Sequence, residues 1–84
     1  LARAAFAAAA RRRGLVLDRR TQWLYDDACV YVNGEAHAWP AGDRAALAAL
    51  ANARALSPRR AASLSPAQLA LVHEGYRHGY AHLA

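Results

Sequence analysis

The chain has 84 residues, a formal net charge of +5 and only arginine as its basic residue, with lysine, isoleucine and methionine all absent. A chain this short folds as one domain and buries only about 60–65% of its unfolded surface, which excludes a second domain or a deep active-site cleft. A single cysteine, Cys29, excludes a disulfide framework and a thiolate metal site and fits a reducing cytosol, while Arg3 and Arg11 interrupt the alanine-rich start before any apolar run reaches membrane-spanning length.

Alanine supplies much of the 56% hydrophobic content. Small side chains bury little area, so Phe6, Trp23, Trp39, the tyrosines and the leucines must provide most of the core energy. The arginine excess admits two readings. A GC-rich coding sequence favours Ala, Arg, Gly and Pro, whereas a pI near 10.4 suits nucleic acid or an acidic partner. Residues 1–13 superficially resemble a transit peptide, being rich in Arg and Ala with no acid. With no initiator Met, a piece cut from a longer protein is the expectation.

Leu1 to Arg13 has the strongest helix propensity in the chain, with Arg11, Arg12 and Arg13 in the last turn, where cations complement the macrodipole, and Gly14 ending it. Phe6, with Ala2, Ala9 and Ala10, marks the docking face. From Leu15 the period changes to two. Leu15-Val16-Leu17 is a short apolar run, followed by the polar punctuation Asp18 to Thr21. Trp23 to Glu35 then concentrates the aromatic and β-branched residues. Strands are predicted over Gln22–Tyr25, Ala28–Val32 and Glu35–Trp39, with Asp26-Asp27 as a turn and Pro40 as the stop. Asn33-Gly34 is a two-residue hairpin loop, since both positions of a type I′ turn need φ > 0. It sets Val32 opposite Glu35, Tyr31 opposite Ala36 and Val30 opposite His37, which makes a three-stranded antiparallel meander.

Asp43 is a good N-cap for a helix that buries Ala46, Leu47, Leu50 and Ala51 and runs to about Arg54. Ser57-Pro58 and Ser65-Pro66 each place a capping Ser before a Pro at the first helical position, where its missing N–H does no harm. The helices they start are predicted over Pro58–Ser63 and from Pro66 to about His78. The second buries Leu69, Val72 and Tyr76, and Gly79 closes it. Tyr80 to Leu83 is expected to form a final edge strand. The result is an α+β fold: a single winged-helix-like domain over residues 1–84, with an N-terminal helix, the meander, three helices and a short terminal strand.

Candidate chemistry is sparse. His73 and His78 stand five residues apart, which rotates them by about 140° on a helix with 3.6 residues per turn, so they do not form the zinc-protease pair. His78 and His82 are separated by a helix end. No His has an acid two residues on, as an iron facial triad requires, and no Gly-rich phosphate loop exists. Asp26 and Asp27 are adjacent, so their carboxylates point apart. No catalytic, cofactor-binding or metal-binding residue is therefore assigned. For nucleic acid, the first turns of the second Ser-Pro helix offer Gln68 alone as a group able to read a base edge. Arg11, Arg12, Arg13, Arg59 and Arg60 form the candidate interaction surface. They fit either a solvated face or phosphate contacts without sequence preference.

Leu17 to Thr21, Tyr25-Asp26-Asp27, Val30 to Glu35, the Leu- and Ala-rich helix ending near Arg54, and Gly75 to Tyr80 occur in an order that resembles the C-terminal domain of bacterial JmjC/cupin-type ribosomal oxygenases. The hairpin signature is Tyr25 with Asn33, Gly34 and Glu35. The resemblance implies a winged-helix domain ending an Fe(II)- and 2-oxoglutarate-dependent ribosomal-protein hydroxylase, often an arginine hydroxylase. The iron ligands of such an enzyme lie in a separate barrel and have no counterpart in this chain. By resemblance, its partners are the rest of the parent oxygenase and a ribosomal protein, in the cytoplasm and with no membrane. The alternative is a basic helix-turn-helix module that binds DNA or ribosomal RNA through phosphates.

Overall fold

The computed structural model describes all of residues 1–84. Its elements are α1 (Arg3–Arg13), β1 (Leu15–Leu17), β2 (Trp23–Tyr25), β3 (Cys29–Val32), β4 (Glu35–Ala38), α2 (Ala45–Ala53), β5 (Ala55–Leu56), α3 (Pro58–Ala62), α4 (Pro66–Arg77) and β6 (Ala81–Leu83). The meander β2-β3-β4 forms as expected, with Val32 opposite Glu35, Tyr31 opposite Ala36 and Val30 opposite His37. Asn33 at φ 49° and Gly34 at φ 84° make the predicted turn. The Asn33 side chain locks it further by accepting a hydrogen bond from the Gln22 amide at 2.8 Å.

A second sheet, in the order β5-β1-β6, accompanies it. The short apolar run β1 is its central strand, pairing Leu15 with both Leu56 and Leu83. Leu15 and Leu17 point into the core while Val16 faces out, as the two-residue period of a strand requires. The edge strand β6 was expected. β5 was not, because two residues give no periodic signal.

Gly14 sets how α1 meets this sheet. Its amide donates to Ala10 O at 2.8 Å and closes the helix, and its φ of 77° with ψ near 180° is a conformation open essentially only to glycine. A Cβ there would stand 2.4 Å from the Leu56 carbonyl oxygen and 3.3 Å from the Pro58 ring. The C-terminus of α1 is thus held directly against β5 and the start of α3.

The caps follow the sequence closely. Ser57 and Ser65 accept hydrogen bonds from the amides of Arg60 and Gln68, each with Pro at the next position. Asp43, the expected cap, lies one residue before the observed one: Arg44 is the N-cap of α2, and Asp43 accepts from the Ala45 amide at 2.9 Å. Arg54 ends α2 at φ 60°, and its guanidinium donates to the carbonyls of Asp18 and Thr21, both at 2.8 Å. One side chain therefore ties the end of α2 to the β1–β2 turn.

A single core draws on every helix and on both sheets: Phe6, Leu15, Trp23, Val30, Leu47, Leu50 and Val72 are essentially inaccessible. Each contributes roughly 1.5–3 kcal/mol relative to an exposed position, which is how an alanine-rich chain holds together. Phe6 is the anchor of α1, with its ring 4.7 Å from that of Tyr76 and 5.2 Å from that of His73. Ala9 and Ala10 are buried beside it, whereas Ala2 is exposed just before the helix. Leu69, Tyr76 and Ala51 are only half-buried.

Candidate functional site

The helix-turn-helix α3–α4 is where a nucleic-acid reader would present its side chains, and its geometry denies that role to α4. Ser65 and Gln68 form a reciprocal capping box, in which Ser65 Oγ accepts from the Gln68 amide at 3.1 Å and Gln68 Oε1 from the Ser65 amide at 2.9 Å. The remaining amide group of Gln68 donates to Asp43 O at 2.6 Å, and Ser65 Oγ donates to Ala41 O. The side chain is 1% exposed. Gln68, expected from the sequence to be the one group able to read a base, is a buried clamp that fastens the start of α4 to the Ala41–Asp43 segment. That leaves the first turn with no exposed base-reading group.

The arginines singled out in the sequence lie on two packed helices. Arg11, Arg12 and Arg13 end α1, Arg59 and Arg60 lie on α3, and α1 packs on α3. All five are exposed and none forms an ion pair with an acid, although Arg13 Nε donates to Ala84 O at 2.9 Å. The remaining arginines with identified contacts are engaged elsewhere. Arg20 pairs with Asp18, Arg77 with Glu74, Arg44 lies 4.7 Å over the Trp39 ring, and Arg54 holds the two carbonyls.

A surface cleft of about 220 Å³ separates the β3–β4 hairpin from α4. Its hairpin wall carries Asn33, Glu35 and His37, and its helix wall carries Glu74, His78 and Tyr80. His78 Nε2 lies 2.9 Å from Glu74 and its ring stacks on Tyr80 at 5.4 Å, while His37 Nε2 lies 3.4 Å from Glu35. The sequence reading missed this pairing. The four-residue spacing of Glu74 and His78 on one helix face signals the first pair, and the two-residue spacing of Glu35 and His37 on one strand face signals the second.

The hairpin signature is structural. Tyr25 accepts a hydrogen bond from Asn52 at 3.1 Å and meets the Trp39 ring edge-on at 5.6 Å. Asp26 caps its own turn, its Oδ1 accepting from the amides of Ala28 and Cys29 at 2.8 Å each and its Oδ2 from the Tyr31 hydroxyl at 2.7 Å. The Tyr31 bond and the two amides hold the Asp26 carboxyl below the usual range. The same carboxylate raises the Tyr31 phenol to about 12. A third carboxylate, Asp18, is lowered first by its hydrogen bond to His82, 3.0 Å away, and then by the Arg20 amide.

The donors present do not fit an iron centre. No three His, Cys, Asp or Glu side chains converge on a point. His37, His78 and His82 each face a different carboxylate, whereas His73 is buried. It is 7% exposed, packed on Phe6, with Nε2 2.9 Å from Leu1 O. No helix is long and apolar enough to cross a membrane.

A family profile described as ROXA-like winged helix matches residues 1–82. The chain belongs to the ROXA-like winged-helix family. The domain is α+β, with four helices and two three-stranded antiparallel sheets, as the resemblance to the winged-helix domain of ribosomal oxygenases implied. No curated protein and no solved structure matches the chain.

Proposed function

We propose that this ROXA-like winged helix is the non-catalytic C-terminal domain of a cupin/JmjC hydroxylase dependent on Fe(II) and 2-oxoglutarate, working in the cytoplasm, and that it serves the enzyme as scaffold and as contact for a ribosomal-protein substrate. The observation that carries this reading is the family match over residues 1–82, on a fold in which no three His, Cys, Asp or Glu side chains gather to hold a metal. Two features support a protein contact over a base reader. The first turn of α4 is committed to its own capping box. The cleft between β3–β4 and α4 offers the carboxylates of Glu35 and Glu74, beside imidazoles, to a cationic side chain.

The test is deletion of residues 1–84 from the parent enzyme. The expected result is that 2-oxoglutarate turnover without protein substrate persists while hydroxylation of the ribosomal protein falls, chiefly through KM. Iron- and 2-oxoglutarate-dependent turnover by the 84 residues alone would overturn the non-catalytic reading. An upstream coding sequence without a cupin barrel carrying His-x-Asp and a distant His would overturn the assignment of the parent enzyme.

A further inference from the structure

We propose that the exposed face shared by α1 and α3 binds the phosphate backbone of double-stranded RNA through Arg11, Arg12, Arg13, Arg59 and Arg60. The first support is how charge is distributed. Residues 1–17 and 44–73 contain no Asp or Glu, so neither helix brings an acid to this face, and the acids lie at Glu74 and within residues 18–43. Guanidinium groups beside carboxylates have part of their charge offset, as Arg20 and Arg77 do. The five on α1 and α3 do not.

Position is the second support. Arg11–Arg13 and Arg59–Arg60 are far apart in the chain, and the tight approach of Gly14 to Leu56 and Pro58 brings the end of α1 against the start of α3. Three consecutive arginines on a helix fan out at about 100° per residue, so with the pair on α3 they spread over a convex surface and do not converge on a point. That spread suits a succession of phosphates along a duplex more than one small anion. Guanidinium is also the side-chain cation best matched to phosphate oxygens.

The side chains present narrow the mode of recognition. Single strands are held on aromatic stacking platforms. The one aromatic residue of α1, Phe6, is fully buried, and α3 has none. Sequence-specific reading of DNA requires side chains delivered into the major groove, and the first turn of α4 has none to deliver; contact with DNA phosphates needs none, so the DNA duplex in the titration below carries that comparison. What remains is recognition of backbone and shape, which is how proteins bind A-form RNA duplexes, whose bases are recessed in a deep, narrow major groove.

The experiment is a salt titration of the 84-residue chain, which carries its own core, against an RNA duplex of about 16 base pairs, a DNA duplex of the same sequence and polyglutamate. Five neutralised phosphates give a slope of about −4.5 in log K against log salt, so affinity for the RNA should fall roughly 500-fold between 50 and 200 mM. Replacing Arg11, Arg12 and Arg13 with Ala should cut the slope to about −1.8, and replacing Arg59 and Arg60 to about −2.7. The off-face pair Arg20→Ala and Arg77→Ala should leave it unchanged. Circular dichroism establishes that each variant is folded. The proposal is overturned by no RNA binding at the lowest salt, by slopes that do not respond to the five arginines, or by DNA binding tighter than RNA. Polyglutamate binding equal to RNA would instead identify an acidic polypeptide as the partner.

Discussion

Gln68→Ala isolates the clamp that takes α4 out of base reading. The substitution leaves the Ser65 amide and the Asp43 carbonyl, both partly buried, without their partners at 2.9 and 2.6 Å. Each lost bond costs about 1 kcal/mol, at the lower end for groups that water still partly reaches. The methylene lost from a side chain only 1% exposed adds about 0.8 kcal/mol. The sum is about 3 kcal/mol, a large share of the roughly 4–13 kcal/mol that a chain of this length holds in total. In urea, with a slope of about 1.5 kcal/mol per molar, the midpoint should fall by about 2 M. Gln68→Glu sharpens the test. Glutamate can still accept from the Ser65 amide, but its carboxylate is buried and faces the Asp43 carbonyl oxygen. Desolvation and that oxygen raise its pKa in the folded state, so its penalty is absent below about pH 4 and grows as the pH rises. A midpoint shift under about 0.5 M for Gln68→Ala, or a Gln68→Glu variant whose deficit does not grow with pH, would refute the clamp.

Gly14→Ala should cost about 3 kcal/mol, from a backbone conformation worth about 1–3 kcal/mol to any other residue and from a Cβ 2.4 Å from Leu56 O. Gly34→Ala, also at positive φ but with nothing within 4 Å, should cost about 1 kcal/mol; equal losses in chemical denaturation would show that the approach of α1 to β5 is not tight. Phe6→Ala should cost about 3–5 kcal/mol by removing the anchor of α1, and a thermal scan that barely moves would contradict its place in the core. Phenolate absorbance should show one tyrosine titrating at about 12, lost in Tyr31→Phe and lowered toward 10 in Asp26→Asn. The signs differ between the partners: the contribution of Tyr31 is whole below pH 10 and is lost as the pH climbs through about 12, whereas that of Asp26 is present above the usual carboxylate range and is lost as the pH falls through its depressed value. Arg54→Ala removes two hydrogen bonds from a guanidinium to part-buried carbonyls, and hydrogen exchange should speed up first in the β1–β2 turn; uniform acceleration across the chain would argue against a local tie.

Features set by neighbouring residues were legible without coordinates. Asn33-Gly34 determined both the turn and the register of β3 with β4, because a two-residue loop leaves only one way to pair the flanking strands. Ser57-Pro58 and Ser65-Pro66 marked two helix starts to the residue, since the cap and the fixed φ of proline act within one turn. The candidate site was legible only in part. The arginines could be named from the sequence, but their adjacency could not. Gln68 was identified as polar at the start of a helix, yet the residues that bury it, Ala41 to Asp43, belong to a loop some 25 positions earlier.

The sequence by itself therefore determined the local grammar of this domain: which segments are helix or strand apart from β5, where the two Ser-Pro helices begin, one hairpin register, and a basic, alanine-rich character in need of a few large core residues. Tertiary structure decided the rest. It set β1 between β5 and β6, drew the two arginine groups onto one pair of helices, buried His73 and Gln68, and faced Glu35–His37 with Glu74–His78 across a cleft. The division has a physical cause. Caps and turns depend on torsions and hydrogen bonds within a few residues, whereas pairing, burial and clustering of charge depend on which distant faces the core brings together.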